Sequence, residues 1–367
     1  YHDTSNWSPP YTLPGIADRA VFGVTLKYLV SVTASLNVGG WHFTTALSYS
    51  FGIGDANIVV TFTGTGITTQ AGAAVPTIGN GGTIVFDGAS SAGSATINNM
   101  EILRFGLSAG STASAGSATI TNEFGISFWA SASAGSAKIN NKGGGGTQFN
   151  DKSTAGSATI TIDDVSSLVF AGASTAGSAT ITNDATLWFL DGSTAGRATI
   201  NNHGDAVFDN TSTAGSATIN NNNHFLNFNN KSTAGSATIN NNATLQFLDE
   251  STAGSATINN DDVVVFDNTS TGGNATINND GNVWFYSKST AGSAKITNDS
   301  VIEFRGNSNA GNATINNAGS VTFSNGSYAR LATINNSGTL TFNDHATASS
   351  ARLANTTAAA KIDFVSA

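Results

Sequence analysis

Ser232-Thr233-Ala234-Gly235-Ser236-Ala237-Thr238-Ile239-Asn240-Asn241-Asn242-Ala243-Thr244-Leu245-Gln246-Phe247-Leu248-Asp249-Glu250 is followed at once by Ser251-Thr252-Ala253-Gly254-Ser255-Ala256-Thr257-Ile258, so the pattern restarts after 19 residues. Extending outward, the Ala-Thr-Ile landmark places core isoleucines at Ile219, Ile239 and Ile258, and from Ile239 to Ile334 the spacing is 19 each time. A second landmark runs through Phe208, Phe228 and Phe247, each 11 residues before the next isoleucine. Two registers locked at one period identify a repeat architecture.

Each repeat carries two short alternating stretches, the period-2 signature of half-buried strands. In Ala217-Thr218-Ile219 the Ala and Ile face inward and the Thr outward; around Val207-Phe208 the Phe is the inward anchor. Small residues between them, such as Ala234-Gly235-Ser236, permit tight corners. The density of Gly, Asn and β-branched residues excludes helix. One coil of this length cannot bury its own apolar face, but coils stacked at about 4.8 Å put Ile on Ile and Phe on Phe. The expected fold is therefore all-β: a single-stranded parallel β-helix, or β-solenoid, with right-handed coiling favoured by the general crossover preference.

A third register lies two residues after Ile, at Asn221, Asn241 and Asn260. Stacked amides can bond along the axis, so these are expected to form a third inward ladder. Ile162 interrupts it, which predicts a local bulge or loop. The regular repeats are placed at 81–345, an amino-terminal cap with irregular first coils at 1–80, and a last coil or cap at 346–367. Trp7, Trp41 and the prolines at 9, 10, 14 and 76 suit the cap.

Only 10% of the residues are charged, and the net charge is −9. With no basic stripe, nucleic-acid binding is not expected. Zero Cys removes disulfides, thiol nucleophiles and zinc-finger spacings together. No run of about 18 apolar residues offers a membrane span, so insertion by this chain is not expected.

Asn6-Trp7-Ser8-Pro9, Leu13-Pro14-Gly15 and Asp18-Arg19-Ala20-Val21-Phe22, with Val38-Gly39-Gly40-Trp41-His42-Phe43 and the Ser-Thr-Ala-Gly-Ser-Ala-Thr-Ile coils, resemble repeat-rich passenger domains of bacterial autotransporters. The resemblance covers nearly the whole chain. It implies export, a right-handed β-helix and an extracellular or bacterial-surface role. No membrane β-barrel pattern accompanies the repeats.

No catalytic residue, metal ligand or cofactor is assigned. The histidines His2, His42, His203, His224 and His345 never take a metal-ligand spacing, and the acidic pairs Asp163-Asp164, Asp249-Glu250 and Asp261-Asp262 fall in turns. Gly143 to Gly146 lacks the acidic residues of a calcium repeat. The periodic outward feature is a column of Thr199, Thr218, Thr238, Thr257 and Thr276, flanked by Asn and interrupted elsewhere by Lys138 and Lys295. High β-propensity explains such Thr plainly; a flat hydroxyl and amide array able to bind ice or another ordered surface is the alternative. Trp188 and Trp284 are candidate aromatic contacts on the second face, and the Ser108 to Ala115 insertion is a candidate location for a specific site.

The expected function is a non-catalytic structural or adhesive rod that contacts glycans or proteins of host or bacterial surfaces, with end-to-end self-association into fibres as a variant. A glycan-active β-helix enzyme is the remaining alternative.

Overall fold

The computed structural model describes residues 14–24 and 29–365. Among them there is no helix, and the chain forms a β-solenoid of about 18 turns with about 19 residues in each. Contacts divide the chain into two units, Tyr1–Thr186 and Leu187–Ala367. Trp7, Pro9 and Pro10 lie outside the described residues.

In the second unit the coil is nearly invariant. Thr238–Asn241 and Thr244–Phe247 are its two strands, each with inward and outward residues in strict alternation. The first pairs in parallel with Thr218–Asn221 before it and Thr257–Asn260 after it, Ile239 opposite Ile219 and Ile258. The second sets Phe247 opposite Phe228 and Phe266. Ring centroids of Phe208, Phe228, Phe247 and Phe266 follow one another at 4.7, 4.9 and 4.8 Å. Their planes are inclined by no more than 11°. That near-parallel stacking follows from the fixed strand spacing, which leaves the rings no room to turn edge-on.

A third paired position completes the cross-section. Thr213, Thr233, Thr252 and Thr271 form single-residue parallel bridges from coil to coil. Thr233 Oγ1 also accepts from the Gly235 amide at 3.0 Å. Gly235 has φ of 62°, and a Cβ there would lie 2.6 Å from the Gly215 carbonyl oxygen. Glycine at this corner is required both by the left-handed backbone and by the close approach of the previous coil.

Asn221, Asn241 and Asn260 are buried beside the Ile ladder. Asn202 donates to Asn221 at 2.9 Å, Asn221 to Asn241 at 2.8 Å and Asn241 to Asn260 at 2.7 Å, always Nδ2 to Oδ1. The other amide hydrogen of Asn241 is spent on the carbonyls of Ala243 and Val263, at 2.8 and 2.9 Å. Every polar atom of that side chain is therefore satisfied inside the stack.

The first unit opens with the four-residue strands Arg19–Phe22 and Leu29–Val32 and then has two longer ones. Leu36–Phe43 and Val59–Thr69 pair in parallel, with a register shift between Val38 and Gly40. Trp41 is fully buried and stacks on Phe51 at 4.3 Å, with Phe22, Phe43 and Tyr49 around them. This aromatic cluster occupies the interior where the Ile and Phe registers have not yet begun. The ladders then continue in register, Phe62 opposite Phe86 and Ile78 opposite Ile97. At the other end of the chain Arg352–Asn355 and Lys361–Phe364 pair with the preceding coil.

Of the bulge or loop expected at Ile162, the structure shows the loop. Thr159–Ile162 keeps its register on both sides, and Ile162 sits opposite Asn141 and Asn183. Its added length goes into the turn at 163–166, closed by Ser166 donating to the Asp163 carboxylate at 2.9 Å. What changes is chemical: Asn141 Nδ2 is buried with no hydrogen-bond partner.

Candidate functional site

Inward residues are consumed by stacking, so any contact with another molecule falls to the outer faces. On the Ile-strand face, Thr199, Thr218, Thr238, Thr257 and Thr276 stand in unbroken parallel register. Thr218, Thr238 and Thr276 are exposed, and Thr199 and Thr257 half-buried. Lys295 continues the column beside Thr276, and Lys138 occupies it between Thr119 and Thr159.

Beside the Thr column runs an outer amide ladder. Asn220 donates to Asn201 at 2.8 Å, Asn240 to Asn220 at 2.8 Å and Asn259 to Asn240 at 2.9 Å. The array is flat, but each bond ties one N–H and one oxygen lone pair to the neighbouring coil. Sequence periodicity places these residues outside; it does not reveal that they bond to each other.

The remaining candidates are scattered. His203 Nε2 lies 3.2 Å from Asn222 Nδ2, His224 Nδ1 lies 3.7 Å from Asp205, and His42 Nδ1 lies 2.8 Å from the Thr68 hydroxyl. Asp249 accepts from Asn268 Nδ2 at 2.9 Å in an exposed corner. Among the described residues, no three His, Cys, Asp or Glu side chains converge as a metal site would require. Trp188 is exposed, while Trp284 is half-buried with its ring 6.1 Å from Tyr286.

A shallow depression of about 560 Å³ follows the Gly-Ser corners from Gly196 to Ser255, and a further concave region lies on the Phe-strand face of the first unit. Two adjoining concavities of about 230 and 290 Å³ share Arg104 as a common wall. The outward positions beneath the second run Ile102, Gly125, Gly146 and Ser167 across four paired strands, so the floor drops where two glycines carry no side chain. A Cβ built on Gly125 would meet nothing within 4 Å. Phe124 and Trp129, both exposed, flank strand Gly125–Phe128 at its two ends.

The first concavity is closed by the turn at Leu107 and Ser108, where the insertion singled out by sequence begins. Asp87 Oδ1 accepts from the Leu107 amide at 2.9 Å, the Ser108 amide at 3.1 Å and the Ser108 hydroxyl at 3.0 Å. Partial burial alone would raise the Asp87 pKa, but these bonds and one from the Gly88 amide outweigh it and hold the carboxyl at about 2. The turn is thus anchored by a permanently ionised side chain at neutral pH.

Arg104 itself is half-buried, and its Nε is fully buried without a hydrogen-bond partner. In the same concavity, Asp151 accepts from the amide of Ala130 at 2.9 Å, and Ala130 is left-handed with φ of 55°, as are the equivalent corner residues Asn210 and Asn230. Such backbone is uncommon for alanine and is held by its surroundings. The sequence signal available for this region was the insertion; the paired glycines and the buried guanidinium become a site only once the coils are stacked. Models of known families, characterised proteins and solved structures all fail to match the chain, so its function is read from the coils themselves.

Proposed function

We propose that the protein is a non-catalytic structural and adhesive solenoid, displayed at or secreted from a bacterial surface in the manner of an autotransporter passenger domain, and able to contact glycans or proteins. The observation that carries this reading is the disposition of the recurrent polar residues. Asn221, Asn241 and Asn260 are buried and bonded from coil to coil, and Asn220, Asn240 and Asn259 are bonded to each other outside. The repeat therefore spends its polar chemistry on rigidity, and a rigid stack presenting the same outward residues in every coil suits multivalent attachment. The sequence resemblance is what supports export and a surface location.

The test is adhesion of beads coated with the purified chain to a panel of polysaccharides and to bacterial and host cell surfaces. Adhesion without change in polysaccharide chain length is expected. Shortening of any polysaccharide by the purified chain would replace this reading with a glycan-active enzyme; adhesion to nothing on the panel would sink it.

A second reading, recognition of ice or another ordered surface, is favoured by the unbroken register of the Thr column from Thr199 to Thr276. Thermal hysteresis in the wild-type chain, lost in a Thr218→Lys, Thr238→Lys double variant, would support it. Its absence from the wild type ends the idea.

A further inference from the structure

We infer that the concave strip centred on Arg104 binds a carboxylated saccharide, which rests on the adhesive reading and specifies its partner. Arg104 provides the first half of the argument. A guanidinium takes a carboxylate through two parallel N–H bonds, which its two terminal Nη groups can supply, and Arg104 lines both concavities.

The rest of the surface narrows the ligand beyond a simple anion. Trp129, 39% exposed, lines the first concavity and adds aromatic surface of the kind that packs on the apolar face of a sugar ring. Asp151 adds a carboxylate to the same concavity, an acceptor suited to hydroxyl donors and hostile to a second anionic group. A polyphosphate would meet this acid and a chain of net charge −9 with a single arginine to hold it. A short saccharide carrying a single carboxylate among its hydroxyls satisfies both Arg104 and Asp151.

Shape favours a short oligomer over a monosaccharide. Phe124 and Trp129 stand at opposite ends of strand Gly125–Phe128, about 16 Å apart along the extended backbone. The floor between them is lowered at Gly125 and Gly146, and Arg104 lies at the junction of the two concavities. A neutral glycan would use the aromatic ends and leave the arginine unpaired.

The full chain is titrated with a trisaccharide containing one uronic-acid residue, with the same trisaccharide after reduction of its carboxyl to an alcohol, and with inorganic sulfate. Binding of the acidic form at least tenfold tighter than the reduced form is expected. Arg104→Gln and Gly125→Thr are each expected to weaken it tenfold or more. The glycine variant fills the floor without disturbing the strand, since Cβ space is open there and Thr83 occupies the same outward register two coils earlier. An unchanged circular-dichroism melt checks this. Equal affinity for the two trisaccharides, no binding of either, wild-type affinity in both variants, or displacement of the saccharide by sulfate at equal concentration would each overturn the assignment. Undiminished bead adhesion by variants that leave saccharide binding intact removes the site and keeps the adhesive reading. Saccharide binding by a wild-type chain that adheres to no surface does the reverse.

Discussion

Asn221 donates through Nδ2 to Asn241 Oδ1 at 2.8 Å, between side chains that are both fully buried, and so joins two coils 20 residues apart in sequence. Removing one member of such a chain leaves groups on both sides without their partners. In Asn241→Ala, Asn221 Nδ2 keeps only the Thr244 carbonyl at 3.2 Å, Asn260 Oδ1 loses the Asn241 donor, and the Ala243 carbonyl keeps only the Val263 amide at 3.3 Å. The expected loss is about 3 kcal/mol. Asn240→Ala, in the solvent-facing ladder, is expected to cost under about 1 kcal/mol, because water replaces the lost partners. Denaturation midpoints of the two variants, with amide exchange across neighbouring coils, separate the cases.

The natural break in the inner ladder gives a second comparison. Ile160 and Ile162 belong to one four-residue strand and are equally buried. Ile160→Asn places an amide among stacked isoleucines with no partner, and a loss of about 4 kcal/mol is expected. Ile162→Asn surrenders similar apolar burial but gives Asn141 Nδ2 the acceptor it lacks. The net change there is expected to stay within about 1 kcal/mol. Equal destabilisation by the two substitutions would show that the orphaned amide carries no cost.

The Ser column makes a prediction of opposite sign. Ser212, Ser232, Ser251 and Ser270 are fully buried at equivalent corners, and none of their hydroxyls has a hydrogen-bond partner. A buried hydroxyl without a partner is worse than the methyl group alone. Ser232→Ala is therefore expected to be neutral or stabilising by up to about 1 kcal/mol, and the four substitutions together to raise the thermal midpoint. A fall in midpoint would mean that these hydroxyls are bonded in solution.

The legible and illegible parts of the fold differ for a physical reason. In a solenoid one sequence period equals one step along the stack, so Ile239 and Ile258, Phe228 and Phe247, or Asn221 and Asn241 announce their contacts through spacing alone. The Thr233 bridge is a single residue long and has no alternation to detect. Ser232 reads as a small corner residue, and only stacking reveals its burial. The region around Arg104 is less legible still: its floor is made of missing side chains at Gly125 and Gly146, from different coils. Its outer wall was visible as an insertion at 108–115, though nothing in the spacing tied that insertion to Trp129 or Asp151.

Asp87 couples that wall to pH. Its carboxyl falls from the ordinary 3.8 to about 2 because the amides and hydroxyl of the Leu107 and Ser108 turn favour the ionised form over the opposing effect of burial. A carboxyl with a depressed folded-state pKa stabilises the fold fully above its unfolded pKa, and that contribution is lost as pH falls through the folded value. The window here lies between about 4 and 2. Much of the group is in contact with solvent, which screens the effect to about 1 kcal/mol. The expected observation is faster amide exchange at Leu107 and Ser108, relative to the intrinsic rate at each pH, as the solution is acidified from 4 to 2, with Asn221 and Asn241 amides unaffected. Asp87→Asn retains an acceptor oxygen but not the charge, so it should exchange at these two positions at neutral pH as the wild type does at pH 2. If Asp87→Asn shows wild-type protection at neutral pH, the carboxylate is not what holds the turn, and the wall of the Arg104 concavity must be fixed by Gly106 and its packing on Trp129 instead.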